Sequence, residues 1–459
     1  MRGPVRNLAH VKRGKDAGVI RDIFTPADIL IPGGVPLEKW SVIACDQFSS
    51  EKEYWARVRE NVDGAPSTLD MIIPEAYLDE TGEEKKIKDI SAAADDYLES
   101  GLLRIVENSF IYVERTLADG RIRRGIVGAV DLEEYDFSST DAAVLASEGT
   151  VLERLPARIR IRRAAGLELP HIITFIDDNA LTVIEPLSEK ADRLPLLYDF
   201  DLMEGGGHIK GRRVSGGDAA AVVEAMRILY TPRKQAATST LVNPGTGGGY
   251  VAGRTQADAG GRSPPGGNAH VLMVVGDGNH SLAAAKVYWD ELKQGLSDKD
   301  METHPARRAL VEVNNVYDDA ISFEAIHRVV FDVDPTEFVS AFENAVPRGD
   351  DYEVQWISRG SSGTVRVAAN CIGDVLGHIQ EFLDKHAARS ACRVDYIHDA
   401  EAVVRLSRQE RCAGLILPAM DKSELFRTVA AGGVFPKKSF SVGSARDKRY
   451  YLECRNIRS

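Results

Sequence analysis

Val271-Leu272-Met273-Val274-Val275-Gly276-Asp277-Gly278-Asn279-His280-Ser281-Leu282-Ala283-Ala284-Ala285-Lys286 runs from an apolar, β-branched stretch through a glycine-rich polar turn into an alanine-rich one. β-Branched residues favour strands, and Ala, Leu and Lys favour helices, so the segment predicts a strand, a tight turn and a helix. Glycines at 276 and 278 let the backbone turn sharply and approach a ligand, and amide donors at a helix start attract anions such as phosphate. In that setting Asp277 is a candidate magnesium ligand and His280 a candidate phosphate contact or proton carrier. Gly276, Gly278, Asn279 and Ser281 are candidate phosphate-binding positions. The ordinary account of the same residues is an Asp-Gly turn with Asn279 or Ser281 capping the helix.

Just upstream, residues 244–267 are dominated by Gly, with Pro, Ser and Thr, and predict a mobile loop. Further upstream, Ser147-Glu148-Gly149-Thr150 precedes Arg154, Arg158, Arg160, Arg162 and Arg163. Alternate arginines on a strand share one face and attract a polyanion, beside which Glu148 stays ionised as a candidate base. A solvated edge strand is the ordinary alternative. Gly205-Gly206-Gly207-His208-Ile209-Lys210-Gly211 offers backbone amides with His208 and Lys210 as candidate phosphate contacts, without the spacing of a Walker loop. Asp46 follows a short apolar run over 41–44, read as a buried strand, and is a candidate to bind a metal or, as a substrate-binding residue, a substrate amine. An Asp-x-x-Ser segment is also commonly a cap, and Ser49 or Ser50 is expected to start a helix through Tyr54 and Trp55. His327-Arg328 and Pro436-Lys437-Lys438-Ser439 read equally as anion contacts or as a strand end and a solvated turn. Cys45 reads as a buried thiol without a partner base.

A helix over 87–103 and strands over 110–113, 122–130 and 159–161 make the N-terminal half mixed in type. Beyond residue 305, strands at 365–368, 394–397 and 415–417 alternate with helices at 375–385, 400–405 and 422–429. The expected fold class is α+β with mixed sheets and a second α/β domain toward the C-terminus. The expected division is a flexible arm over 1–20, a composite α+β unit over 21–300 and an α/β domain over 301–459.

A chain of 459 residues exceeds one ordinary core. Its net charge of −12 disfavours a general nucleic-acid surface. The five cysteines are odd in number and scattered, which argues against a disulfide framework or zinc knuckle and suits a reducing cytoplasm. No apolar segment follows the basic N-terminus and no run reaches membrane-spanning length, so neither secretion nor a membrane partner is expected.

Ala27-Asp28-Ile29, the block Lys39 to Trp55, the block Tyr198 to Lys210 and the block Gly276 to Lys286 together resemble domain-of-unknown-function family 1015. Within it, the Asp-Gly-x-His block followed by an Ala-rich helix resembles the box of the ParB/sulfiredoxin superfamily, which implies a ParB/sulfiredoxin-like N-terminal part. That superfamily binds nucleotides, and its free-serine kinases move phosphate from ATP or ADP onto the serine hydroxyl. The resemblance therefore implies a magnesium-dependent small-molecule kinase with Glu148 as base and Arg154 and Lys210 as reserve cations, while Thr150 and Asp46 are candidate substrate-binding residues. The alternative is a non-catalytic nucleotide-binding regulator, and a homo-oligomer is left open. The sequence departs from the superfamily box in having Ser281 after His280, where Arg is usual, and in the long interval from Glu148 to Asp277.

Overall fold

The structure is a computed structural model that describes residues 22–49, 51–78, 82–138, 141–240 and 271–458. The arm expected over 1–20 and the glycine-rich loop expected over 244–267 lie outside these residues. The chain is α+β. Among the described residues, no helix is long and apolar enough to cross a membrane.

Alternation of side chains along Leu103–Thr116 and Ile122–Asp131 sends Phe110, Tyr112, Ile126 and Val130 to one face and Ile111, Val113 and Val127 to the other. Both faces are apolar, so this antiparallel pair lies inside an 11-stranded sheet covered on both sides. In order, the path is Tyr135–Asp136, Val144–Ala146, Met273–Asp277, Ile173–Ile176, Arg308–Asn315, Ile122–Asp131, Leu103–Thr116, His208–Val214 and Leu196–Asp201. Phe24–Thr25 and Ala27–Pro32 pair with the two long strands. The sheet is mixed, because Met273–Asp277 runs parallel to Val144–Ala146 and antiparallel to Ile173–Ile176. Its last strand in chain order, Arg308–Asn315, comes after residue 300.

A second, five-stranded antiparallel sheet follows the order Ser361–Val367, Arg348–Ser358, Cys412–Ile416, His327–Phe331, Arg393–Ile397. Its core is continuous with the middle of the large sheet, since Ile173, Phe175 and Val274 share a cluster with Val330, Val354 and Leu415. The helices expected at 375–385, 400–405 and 422–429 are present as Ile372–Arg389, Ala400–Leu406 and Glu424–Gly432.

After the second sheet the chain returns to the first. Tyr450 bridges Ile43, Cys454 bridges Leu30, and Arg455–Asn456 pairs with Leu167–Glu168. Trp40, wholly buried, donates its indole N–H to Leu452 O at 3.0 Å. Arg449, also buried, is held between Glu312 and Glu453, and Tyr198 donates to Glu453 at 2.6 Å. Burial of these carboxylates is tolerated because each is paired; Arg449 and Arg123 hold Glu312 below the usual carboxylate range against the effect of its burial.

Three local expectations are corrected. The arginine run, with its predicted strand at 159–161, is a helix, Leu155–Ala165. Pro156 sits in its first turn, and a helical period sorts the arginines into two sets, which a period of two cannot do. Arg158 and Arg162 point inward to Glu75 and Glu168, with side chains only 14% and 13% exposed, while Arg160 and Arg163 face solvent and pair with Glu83 and Glu291. Residues 41–44 form no strand beyond the Ile43 bridge, because their partner is the C-terminal return rather than a sheet. The next helix, Lys52–Val62, begins after Glu51 with no side-chain cap, so neither Ser49 nor Asp46 caps it.

Candidate functional site

The strand Met273–Asp277 hands over to the helix Asn279–Leu292 through Gly278, whose φ of +80° suits glycine and is costly for any other residue. A Cβ at Gly278 would meet Ile172 Cα at 3.0 Å, and one at Gly276 would meet the Phe175 ring at 2.1 Å. Both glycines therefore serve close packing as well as turning. Gly278 is itself the N-cap and no side chain caps the helix, so neither Asn279 nor Ser281 plays the capping role.

Asn279 is 9% exposed and reaches sideways. Its Oδ1 accepts from the Ser147 N–H and its Nδ2 donates to Ser147 Oγ, both at 3.2 Å. His280 Nε2 accepts the Val151 N–H at 3.1 Å. Two consecutive helix residues thus clasp the segment that carries Glu148 and Thr150. Since Nε2 is an acceptor, a neutral ring carries its proton on Nδ1. Burial, then Arg158 and Arg154, push the imidazole down to about 4, so it is neutral at physiological pH. That state suits a hydrogen-bonding role and not a proton carrier near neutrality.

Glu148 faces Asp277 and bridges Phe435, just beyond the helix Glu424–Gly432. Burial and the Asp277 charge push its carboxyl up to about 7, opposed by Lys448, the Ser439 backbone N–H and Arg328. The Phe435 N–H donates to Ser147 O at 2.7 Å, which ties this segment to the chain that follows the helix Glu424–Gly432. Asp277 Oδ2 is buried with no hydrogen-bond partner, and Lys448 Nζ stands 3.7 Å from it. Thr150 Oγ1 is likewise buried and unpartnered. Arg328 lies 4.4 Å from the centre of the Tyr396 ring, and burial lowers its guanidinium to about 10.

On the other side of His280, Ser281 Oγ lies 3.1 Å from His171 Nε2, and the same nitrogen is 4.0 Å from Asp46 Oδ2. Burial tends to raise the Asp46 carboxyl, but His171, Arg158, Gln47 and Lys448 outweigh it and hold it below the ordinary carboxylate range. Cys45 accepts from the Tyr451 hydroxyl at 3.0 Å and its thiol is pushed up to about 12, chiefly by burial, so it is no nucleophile.

Of the residues singled out from the sequence, Asp46, Glu148, Thr150, Arg154, Gly276, Asp277, Gly278, Asn279, His280 and Ser281 come together here. His208 and Lys210 do not. Their strand, His208–Val214, is five positions along the large sheet from Met273–Asp277, and both pair with carboxylates: His208 with Asp199 and Asp201, and Lys210 with Asp199. Lys448 and His171 belong to the site without having been singled out. Lys448 stands in Asp447-Lys448-Arg449-Tyr450-Tyr451, and its one sequence signal is a run of three charged residues directly followed by two aromatic ones. Lys437, weighed as a clamp, does contribute its charge at His280.

Among the described residues no group of three or more His, Cys, Asp or Glu is set to hold a metal ion. A magnesium ion nevertheless fits the donor set, because it is commonly held by one or two carboxylates plus substrate phosphates, and Asp277 Oδ2 is a carboxylate oxygen without a hydrogen-bond partner.

The model of the family described as Protein of unknown function (DUF1015) matches residues 34–429. The chain belongs to that family. No curated protein matches it. Among solved structures, a free serine kinase in complex with AMP is 11% identical, with 72% of this chain and 90% of that one covered at a TM-score of 0.33. A mutant of the free serine kinase in complex with ADP is 11% identical over 74% and 93%, at 0.33. SbnI with a C-terminal truncation, from Staphylococcus aureus, is 8% identical over 69% and 82%, at 0.33. Likenesses this remote say nothing about activity.

Proposed function

We propose that the protein is a small-molecule kinase that transfers phosphate from ATP or ADP to the hydroxyl of a free amino acid, with L-serine the acceptor implied by the sequence resemblance. The observation that carries this reading is Glu148, a carboxyl raised to about 7 beside Asp277. A base poised near the working pH is what removal of a hydroxyl proton needs. In the proposed step the acceptor oxygen bonds to the terminal phosphorus as the bridging P–O bond breaks, and the hydroxyl proton passes to Glu148. Asp277 would hold magnesium, which when bound neutralises phosphate charge. Lys448, Lys437 and Arg154 supply further positive charge, the Nδ1–H of His280 and the helix N-terminus supply donors, and Thr150, near Glu148, faces the acceptor while Asp46 stands on the His171 side.

A second reading, a nucleotide-binding regulator without turnover, is favoured by one observation: His280 Nε2 is already engaged by the Val151 N–H. Phosphorus NMR with magnesium, ATP or ADP and a pool of free amino acids separates the two. A new phosphomonoester signal, absent with Asp277→Ala, supports the kinase. Nucleotide that is bound but not consumed transfers the assignment to the regulator.

A further inference from the structure

A cavity of about 130 Å³ opens beside the site, between the helix Leu155–Ala165, residues 71–78 and Ser281. That is far more than the ~10–15 Å³ a single water occupies. Its walls are mainly apolar, with Ile72, Ile161, Leu169, Pro170 and Ala284 among them. The charged side chains on the wall are already paired, Arg158 with Glu75 and Arg162 with Glu168. Two polar wall atoms are buried without a partner, His171 Nδ1 and Arg162 Nε. The His171 side chain is only 5% exposed, and its other nitrogen meets Ser281.

This chemistry excludes two occupants. A free amino acid brings an ammonium and a carboxylate, which would be buried against charges already neutralised, at high cost. Water alone would face mostly hydrocarbon. A flat, uncharged heterocycle with ring nitrogens matches both the apolar walls and the two unpartnered atoms. The contacts also set an order: Glu148 lies next to Asp277, His280 follows, His171 and Ser281 come next, and then the cavity.

Resting on the nucleotide reading above, we infer that this cavity takes the purine-type base of the nucleotide, with its phosphates directed back to Asp277 and His280. The acceptor is thereby left to the Glu148 end.

The test is calorimetric titration of ADP and of inorganic pyrophosphate, each with magnesium, into the wild-type chain and into Ala157→Phe and Ile161→Phe. Both residues are half-buried cavity-wall positions on the helix Leu155–Ala165, and thermal melts identify the variant that keeps its fold. A phenyl ring in the cavity takes the space of the base, so ADP binding should weaken about tenfold or more while pyrophosphate binding is unchanged. Equal ADP affinity in wild type and a folded variant overturns the base pocket and leaves the kinase reading standing. Equal losses for ADP and pyrophosphate overturn it as well. A wild-type chain that binds neither ligand removes the nucleotide reading, and this inference with it.

Discussion

The side-chain nitrogen of Lys448 lies 3.7 Å from Oδ2 of Asp277, so the C-terminal return of the chain closes on the turn that opens the helix Asn279–Leu292. This places a cation from the end of the chain against the carboxylate proposed to hold magnesium, with Glu148 close to both.

Replacing that cation should be felt twice. Lys448→Met is expected to lower acceptor-dependent turnover about 10²–10³-fold, the usual effect of losing one transition-state donor, with Lys448→Arg retaining more. Lys448 is also the largest influence lowering the Glu148 carboxyl, so the midpoint of the pH–rate profile should rise in Lys448→Met. An unmoved midpoint would remove Lys448 from contact with Glu148.

With Glu148 raised to about 7, turnover should climb as pH rises through neutrality and level off above it. Glu148→Gln should abolish that limb and cost about 10²–10⁴-fold. The same shift has a stability consequence. A carboxyl whose folded value lies above its unfolded value contributes stability that is fully present below the unfolded pKa and is lost as pH rises through about 7. Glu148→Gln should therefore melt higher than wild type at pH 8 but not at pH 5, as measured by calorimetry across that range.

Gly278→Ala would force a Cβ onto a backbone with φ of +80° and within 3.0 Å of Ile172 Cα. Destabilisation of roughly 1–2 kcal/mol is expected from the left-handed conformation alone, read from urea unfolding. Turnover should fall with it, because the clasp that Asn279 and His280 make on residues 147–151 depends on where the helix starts.

Arg449→Leu would leave Glu312 and Glu453 buried without their shared partner. Breaking one side of a buried pair typically costs about 3–5 kcal/mol, measurable by denaturant titration. Lys448 is the adjacent residue, so near-wild-type stability with lost activity would show that the pair positions the site without stabilising the fold.

Much of the framework can be read along the chain. An apolar β-branched run followed by Gly276-Asp277-Gly278 and an alanine-rich stretch has one economical local structure, and the strand, turn and helix are all present. The hairpin of Leu103–Thr116 with Ile122–Asp131 and the alternation beyond residue 305 are equally local. The arginine run misleads because Arg-Ile-Arg-Ile fits a period of two as well as a helix. Only tertiary packing decides for the helix, by placing Arg158 against Glu75 and Arg162 against Glu168 on the strand Leu167–Glu168.

By itself, then, the sequence determined the family, the α+β class and the turn that carries Asp277 and His280, because each depends on short-range backbone preference or on blocks of residues in fixed order. Tertiary structure alone decided which distant groups join that turn. It brought in Lys448 and His171 and left His208 and Lys210 on a strand elsewhere in the sheet. The physical reason is that strand order and the path of the C-terminal return are set by burial of Trp40, Tyr450 and Arg449 across long separations, which no local spacing encodes.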